Sequence, residues 1–170
     1  MNKVVIGIVI QARTGSSRLP GKTLLEFNGK SVLEIILESA KTVLGVDKVI
    51  VATTVNKNDD EIASLTIDNG GIVYRGDENN VLKRITEAAL ENKINVTIRV
   101  CADEPFFDPG IVERLIDEYR EGDFEYISTT LGKSFPVGVD SELVETSVLE
   151  RLLDMNLTDL KPAIGSTKKK

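Results

Sequence analysis

The sequence contains no histidine and only one cysteine, Cys101. The first absence removes Ser-His-Asp hydrolysis, histidine-ligated zinc and a histidine general base. The second removes an intramolecular disulfide framework and any multi-cysteine metal site. Long apolar runs are missing too. The longest, Val4 to Ile10, falls far short of the roughly 20 residues that span a bilayer. Behind Lys3 it could pass for a signal-peptide core, but Gln11-Ala12-Arg13 follows it where a small-residue cleavage site would stand. It reads instead as a buried strand, which implies a cytoplasmic protein with no membrane partner and Cys101 as a reduced core thiol. Positive charge is scarce as well. Lys and Arg number 21 against 27 Asp and Glu, a net charge of −6, which argues against a nucleic-acid partner, since those need a basic face.

What remains is a chain of 170 residues, one ordinary domain, long enough to bury roughly 70% of its unfolded surface without staples. Apolar, β-branched runs alternate with helical patterns. Val4–Ile10, Lys48–Thr54, Ile72–Arg75 and Val96–Cys101 read as strands, and Phe124–Ser128 and Val139–Val144 as weaker ones. Nearly continuous apolar strands suit a parallel sheet covered on both faces.

The helices between them carry recognisable ends. Ser31-Val32-Leu33-Glu34 is a capping box, opening a helix that stops at Gly45. Asn58 or Asp59 starts a second helix, ended by Gly70-Gly71, and a third runs from about Asn80 to Glu91. Asp108-Pro109 supplies an N-cap and a first-turn proline for a fourth, ending near Gly122. Ser147-Val148-Leu149-Glu150 reads as another capping box, for a helix reaching Met155. The alternation predicts an α/β fold with a mostly parallel sheet. Ligands in such folds sit at the carboxyl ends of the strands, which directs attention to the residues after Ile10, Thr54, Arg75 and Cys101.

The segment from Gln11 to Lys22 is the most informative. It holds Arg13, Arg18 and Lys22 together with Gly15, Gly21 and the hydroxyls of Thr14, Ser16 and Ser17. Backbone N–H groups of such a turn form an anion nest, and the cations add charge-assisted bonds. In an otherwise acidic protein this predicts a phosphate-binding loop. It is not a Walker loop. That pattern has four residues between its glycines, whereas five separate Gly15 from Gly21 here, and Pro20 stands where the second glycine would be. A Walker lysine also launches a long helix, and the turn signal Asn28-Gly29 leaves no room for one. No G-x-G-x-x-G fingerprint is present.

The loop, read from Ile10 to Lys22, closely resembles the opening of the spore-coat polysaccharide biosynthesis protein F family, a branch of the acylneuraminate and octulosonate cytidylyltransferases. Three later segments agree in order and spacing. They are Arg75-Gly76 with Val81-Leu82-Lys83-Arg84, Arg99-Val100-Cys101-Ala102-Asp103-Glu104-Pro105 with Asp108-Pro109, and Phe135 to Glu142. The resemblance covers residues 3 to 155. It implies a Rossmann-like three-layer α/β/α nucleotide-diphospho-sugar transferase fold over residues 1–155, short at its carboxyl end relative to the family, with a disordered tail over 156–170.

The resemblance also implies an activity: magnesium-dependent transfer of CMP from CTP to a sugar acid or related sugar, releasing pyrophosphate, by an enzyme able to form a homodimer. Arg13 and Lys22 would grip the β- and γ-phosphates and stabilise the leaving pyrophosphate. Gln11, Ala12, Gly15 and Ser16 would line the nucleotide, with Arg18 and Arg75 assisting, and Asp103 would bind the magnesium ion. Such transfer asks mainly for positioning and charge neutralisation, so the missing histidines do not count against it. Arg84, Asp140 and Glu142 would face the acceptor. Each has a plainer reading: Arg84 an exposed helical arginine, Asp140 and Glu142 the wet side of an edge strand. Arg99, a charge within a strand, either reaches the ligand or pairs with a carboxylate. Asp59-Asp60-Glu61 reads most simply as a first helical turn favoured by the dipole. Two further readings of the whole chain are a nucleotide-binding homologue without turnover and, less well supported, a P-loop NTPase.

Overall fold

A computed structural model describes residues 3–16, 19–130 and 138–155. Arg18, the stretch from Phe135 to Val137 and the tail over 156–170 lie outside the described residues. The main sheet has six strands: β1 (Ile6–Gln11), β4 (Lys48–Thr54), β5 (Ile72–Gly76), β6 (Val96–Cys101), β7 (Tyr126–Ser128) and β8 (Glu142–Glu145). Their order across the sheet is β5-β4-β1-β6-β8-β7. The first four are parallel, and β8 runs antiparallel to both of its neighbours. Helices cover both faces. α1 (Val32–Lys41), α2 (Asp60–Asp68) and α4 (Pro109–Glu121) pack on one side, through Leu33, Ile36, Ile62, Val112 and Ile116 against Ile8, Ile10 and Ile98. α3 (Val81–Glu91) and α5 (Thr146–Asp154) pack on the other, through Ile85, Ala88, Ala89 and Leu149 against Val9, Ile50 and Val144. The sheet between two helical layers is the expected three-layer α/β/α fold. Burial on both faces is why the central strands read as unbroken apolar runs.

Local chemistry explains most boundaries. Ser31 accepts a hydrogen bond from the N–H of Glu34 while the Glu34 carboxylate accepts from the Ser31 N–H, the anticipated capping box. Asp108 accepts from the N–H groups of Gly110 and Ile111, and Pro109 opens α4. After Lys22 the chain makes one 3-10 turn (Lys22–Leu24), then a two-stranded hairpin of β2 (Glu26–Phe27) and β3 (Lys30–Ser31). Asn28 and Gly29, at φ 52° and 79°, form its turn. Both residues have positive φ, as a tight hairpin turn of this kind requires. No long helix starts at Lys22, which removes the P-loop NTPase reading.

Three expectations need correction. Ser147 is no N-cap: α5 begins one residue earlier, and Glu145 is both the last residue of β8 and the helix cap, without a side-chain capping bond. The strand runs directly into the helix because the Thr146 hydroxyl is buried against that of Thr97, 3.0 Å away. The strand proposed over Val139–Val144 is displaced to Glu142–Glu145 and is interior, so Glu142 is not on the wet side of an edge. The first helix ends at Lys41, ahead of Gly45, which adopts φ 86° in the following turn.

Candidate nucleotide-binding site

Side chains alternate across a strand, and this alternation puts Gln11, Arg99, Cys101 and Glu142 on the same face of the sheet as α3 and α5. The loop after β1 and the residues after β6 rise from the carboxyl edge just above them. Two open cavities, one beside Asp47 and Ile72 and the other beside Lys93, Ile94 and Glu145, lie at the opposite, amino-terminal edge. Neither belongs to the candidate site, which is built from the loops at the carboxyl edge.

Ala12 is buried in the core, and its N–H is bonded to the Ala52 carbonyl at 3.2 Å. Any contact it makes with a ligand is through its remaining backbone. From there the loop turns outward. Arg13 is exposed, one guanidinium N–H reaching the Glu78 carbonyl at 3.3 Å. Gly15 is exposed and lies close to Glu78, whose carboxylate is 3.5 Å from where a Cβ would stand. The Ser16 and Gly21 N–H groups both donate to the Thr14 carbonyl, at 2.8 and 2.9 Å, closing the neck of the loop. Gly21, at φ 70°, then delivers Lys22 to the rim. There the Lys22 ammonium forms an ion pair with Asp103, which follows β6. The loop lysine and the candidate metal carboxylate are thus brought together from opposite sides of the β1–β6 seam.

Beneath them lies a polar network. Arg99 pairs with Glu142 at 2.5 Å and donates from Nε to the Gln11 amide oxygen at 3.2 Å. The Tyr126 hydroxyl donates to the other Glu142 oxygen at 3.0 Å. Glu142 is therefore a buried partner of Arg99, and of the two readings of Arg99 the carboxylate pair is the one realised in the fold. The Cys101 thiol lies against Gln11 and Arg99, and burial pushes it up to about 12. It remains a neutral thiol. Glu104, half-buried, is pushed up to about 8, first by burial and then by the carboxylates of Asp140 and Asp103, against the pull of Arg99. Asp140 stands just ahead of β8, half-buried and near Glu104.

Two other arginines brace loops. Arg75 donates to the Thr54 and Asn56 carbonyls at 2.8 and 2.7 Å and to the Asp60 carboxylate at 2.6 Å. All three of its nitrogens are engaged by the β4–α2 connection. Arg84 is not an exposed helical arginine: only 2% of it is accessible. It donates to the carbonyls of Ala52, Asp77 and Glu78, and burial, followed by repulsion from Arg13, lowers its pKa. Arg13 and Arg84 thus reach the same Glu78 carbonyl. Sequence reasoning missed Asp59, which is 2% exposed and bonded to Thr14 across the site. No local signal distinguishes it from Asp60, because its partners are 45 and 5 residues away.

A mostly parallel α/β sheet with a cationic loop after its first strand, faced by a carboxylate at the end of the neighbouring strand, is the arrangement the resemblance to sugar nucleotidyltransferases predicts. The chain belongs to the cytidylyltransferase family, whose sequence model matches residues 7–161. It is 32% identical over 155 residues to spore coat polysaccharide biosynthesis protein SpsF of Bacillus subtilis, covering 88% of this chain and 62% of that protein. It is 35% identical over 120 residues to a 3-deoxy-manno-octulosonate cytidylyltransferase from Anaeromyxobacter, covering 69% and 48%. Among solved structures, a cytidylyltransferase from Leptospira borgpetersenii superposes with a TM-score of 0.85 at 34% identity, over 90% of this chain and 65% of that one. The chain spans about half to three-fifths of the length of these curated relatives.

Proposed function

We propose that this chain binds CTP and serves transfer of CMP to a sugar acid or related sugar, with release of pyrophosphate, in the cytoplasmic synthesis of surface-polysaccharide precursors. The observation that carries this reading is the meeting of Lys22 with Asp103 at the carboxyl edge of β1 and β6. It brings together the cation and the carboxylate to which the family resemblance gives the triphosphate and the magnesium ion. Arg13 and Lys22 would hold the β- and γ-phosphates, and Gly15 and Ser16 would cradle them from the neck of the loop. A sugar hydroxyl attacks the α-phosphorus in line and its proton passes to water. The bond from the α-phosphorus to the bridging oxygen breaks, and the charge of the departing pyrophosphate is met by Arg13 and Lys22.

Among the described residues, no three metal-ligating side chains gather tightly enough to hold an ion alone. Magnesium does not need that, because it is commonly bound through one or two carboxylates plus substrate phosphates and water. Asp103 fits this role. Glu104 is raised first by burial and then by the neighbouring carboxylates of Asp140 and Asp103, and a cation would relieve the second of these influences. When bound, the ion neutralises charge accumulating on the phosphates.

The test is a thermal-shift panel of CTP, UTP, GTP, ATP and dTTP with magnesium, followed by pyrophosphate release across several sugar acids. A ligand at about 100 times its dissociation constant adds roughly 2.7 kcal/mol of stability. CTP should stabilise most. Greater stabilisation by another nucleotide would remove the cytidylyl assignment and leave the fold intact.

A further inference from the structure

We propose that Asp59 is a positioning residue for the phosphate grip: it anchors the neck of the loop after β1 and thereby sets where Lys22 stands. The proposal rests on the nucleotide-binding reading of that loop.

Asp59 closes the 3-10 turn Lys57–Asp59 that runs straight into α2, and its side chain makes no capping bond to that helix. Ser31, Asn80 and Asp108 each cap the helix they precede. The Asp59 carboxylate is instead turned across the site. Its Oδ1 accepts from the Thr14 N–H at 2.8 Å and from the Thr14 hydroxyl at 2.7 Å. Its Oδ2 accepts from the hydroxyl of Thr54, the last residue of β4. The group is almost wholly buried, and among the described residues no ammonium or guanidinium lies within ion-pair distance of it. Burial, the largest influence, favours the neutral acid, but the bonds from Thr54 and Thr14 outweigh it and keep the carboxyl below its ordinary value. A buried carboxylate held in this way is costly unless its donors stay in place, so it fixes the groups that satisfy it.

Thr14 passes that constraint on. With its N–H and hydroxyl turned to Asp59, its carbonyl faces the loop and takes the N–H groups of Ser16 and Gly21. The second bond closes the loop from Thr14 to Gly21, and the next residue is Lys22. The sequence Asp59, Thr14, Gly21, Lys22 is therefore a continuous chain of contacts from the start of α2 to the ammonium at the rim. Glu61 and Asp60, the other acids of that turn, are exposed and do not contribute to it.

The test uses the full chain and four variants: Asp59→Ala, Asp59→Asn, Thr14→Val and Lys22→Ala, with the Asp59→Ala/Lys22→Ala double variant. The readouts are the dissociation constant for CTP with magnesium by calorimetry, the rate of tryptic cleavage after Lys22, and melting temperature. Asp59→Ala should weaken CTP binding on the order of tenfold to a hundredfold and speed cleavage after Lys22. Asp59→Asn should remain within about threefold of wild type, because its amide oxygen still accepts from the Thr14 N–H and its amide N–H can donate to the Thr54 hydroxyl. In the Lys22→Ala background the affinity lost on Asp59→Ala should shrink to about twofold, since the two residues act in series. Should Asp59→Ala fail to fold, Thr14→Val removes one of the three bonds and should show the same pattern at smaller size.

A lower melting temperature with unchanged CTP affinity in the folded protein would make Asp59 an ordinary structural tie and overturn the proposal. So would an equal affinity loss with and without Lys22. If the wild-type chain binds no nucleotide while cleavage after Lys22 still responds to Asp59→Ala but not to Asp59→Asn, the anchoring stands and the functional reading of the loop is what fails.

Discussion

Lys22 and Asp103 form an ion pair across the seam between the loop after β1 and the end of β6. Each is thereby held by a residue whose own proposed ligand is of opposite sign, the triphosphate for Lys22 and the metal ion for Asp103. The two neutralise one another, and on the proposed function arrival of either ligand would release the partner needed by the other.

This relationship gives an effect of unusual sign. Asp103→Asn should bind metal-free CTP up to about fivefold more tightly than wild type, the scale of one partly exposed ion pair. With magnesium present it should bind more weakly. Calorimetry in chelator and in magnesium measures both. The gain should vanish in the Lys22→Ala background; a gain of equal size there would reduce the effect to simple repulsion between carboxylate and phosphate.

Lys22→Ala should lower the rate of CMP transfer by roughly 2–4 kcal/mol, about 30- to 1000-fold. Unfolding free energy should change by no more than about 1 kcal/mol, the scale of the one partly exposed ion pair the lysine makes, because it lies outside the core. Steady-state kinetics and urea unfolding check the two halves. Large destabilisation with normal transfer would mean that a structural residue has been read as a functional one.

Glu104 makes stability depend on pH in a defined direction. Its folded pKa, about 8, lies above the ordinary 4.5, so the folded state holds the proton more tightly than the unfolded state does. Its favourable contribution is complete below the unfolded value and is lost as pH rises toward 8. Glu104→Gln cannot ionise. Its stability relative to wild type should rise between pH 4.5 and pH 8 and level off on either side, in urea melts with chelator present. A difference that does not vary across this window would count against a Glu104 raised by burial and its neighbouring carboxylates.

The Arg99–Glu142 pair is deeply placed, with side-chain exposures of 12% and 11%. Breaking such a pair from one side leaves an uncompensated charge, so Glu142→Ala should cost about 3–5 kcal/mol. Replacing both residues with apolar ones of similar volume, Arg99→Met with Glu142→Leu, should recover most of that loss. Chemical unfolding of the single and double variants decides it, and a double variant no more stable than Glu142→Ala would show that Gln11, Cys101 and Tyr126 depend on the charges.

How much of this was legible beforehand varies by residue. The Ser31–Glu34 box, the Asp108–Pro109 helix start and the Asn28-Gly29 turn each reside in a few consecutive residues, where local hydrogen bonding and allowed φ decide the outcome. The central strands were legible because burial on two faces leaves an unbroken apolar run. The Ser147 box failed by two residues, the cap falling at Glu145, since burial of Thr146 against Thr97, a contact between segments 49 residues apart, took precedence over a local capping preference.

By itself the sequence determined the layered α/β class, the cationic loop from Gln11 to Lys22, its difference from a Walker loop and the family resemblance. All of these follow from short-range pattern. Only the tertiary structure decided that Arg84 and Arg75 are engaged by backbone carbonyls, that Glu142 belongs to Arg99, and that Lys22 meets Asp103. It also decided that Asp59 turns from its own helix to Thr14. The physical reason is common to all four. A charged side chain is satisfied by whichever donor or acceptor the fold brings within about 3 Å, and that neighbour is set by the order and register of strands distant in the chain, which no local run of residues encodes.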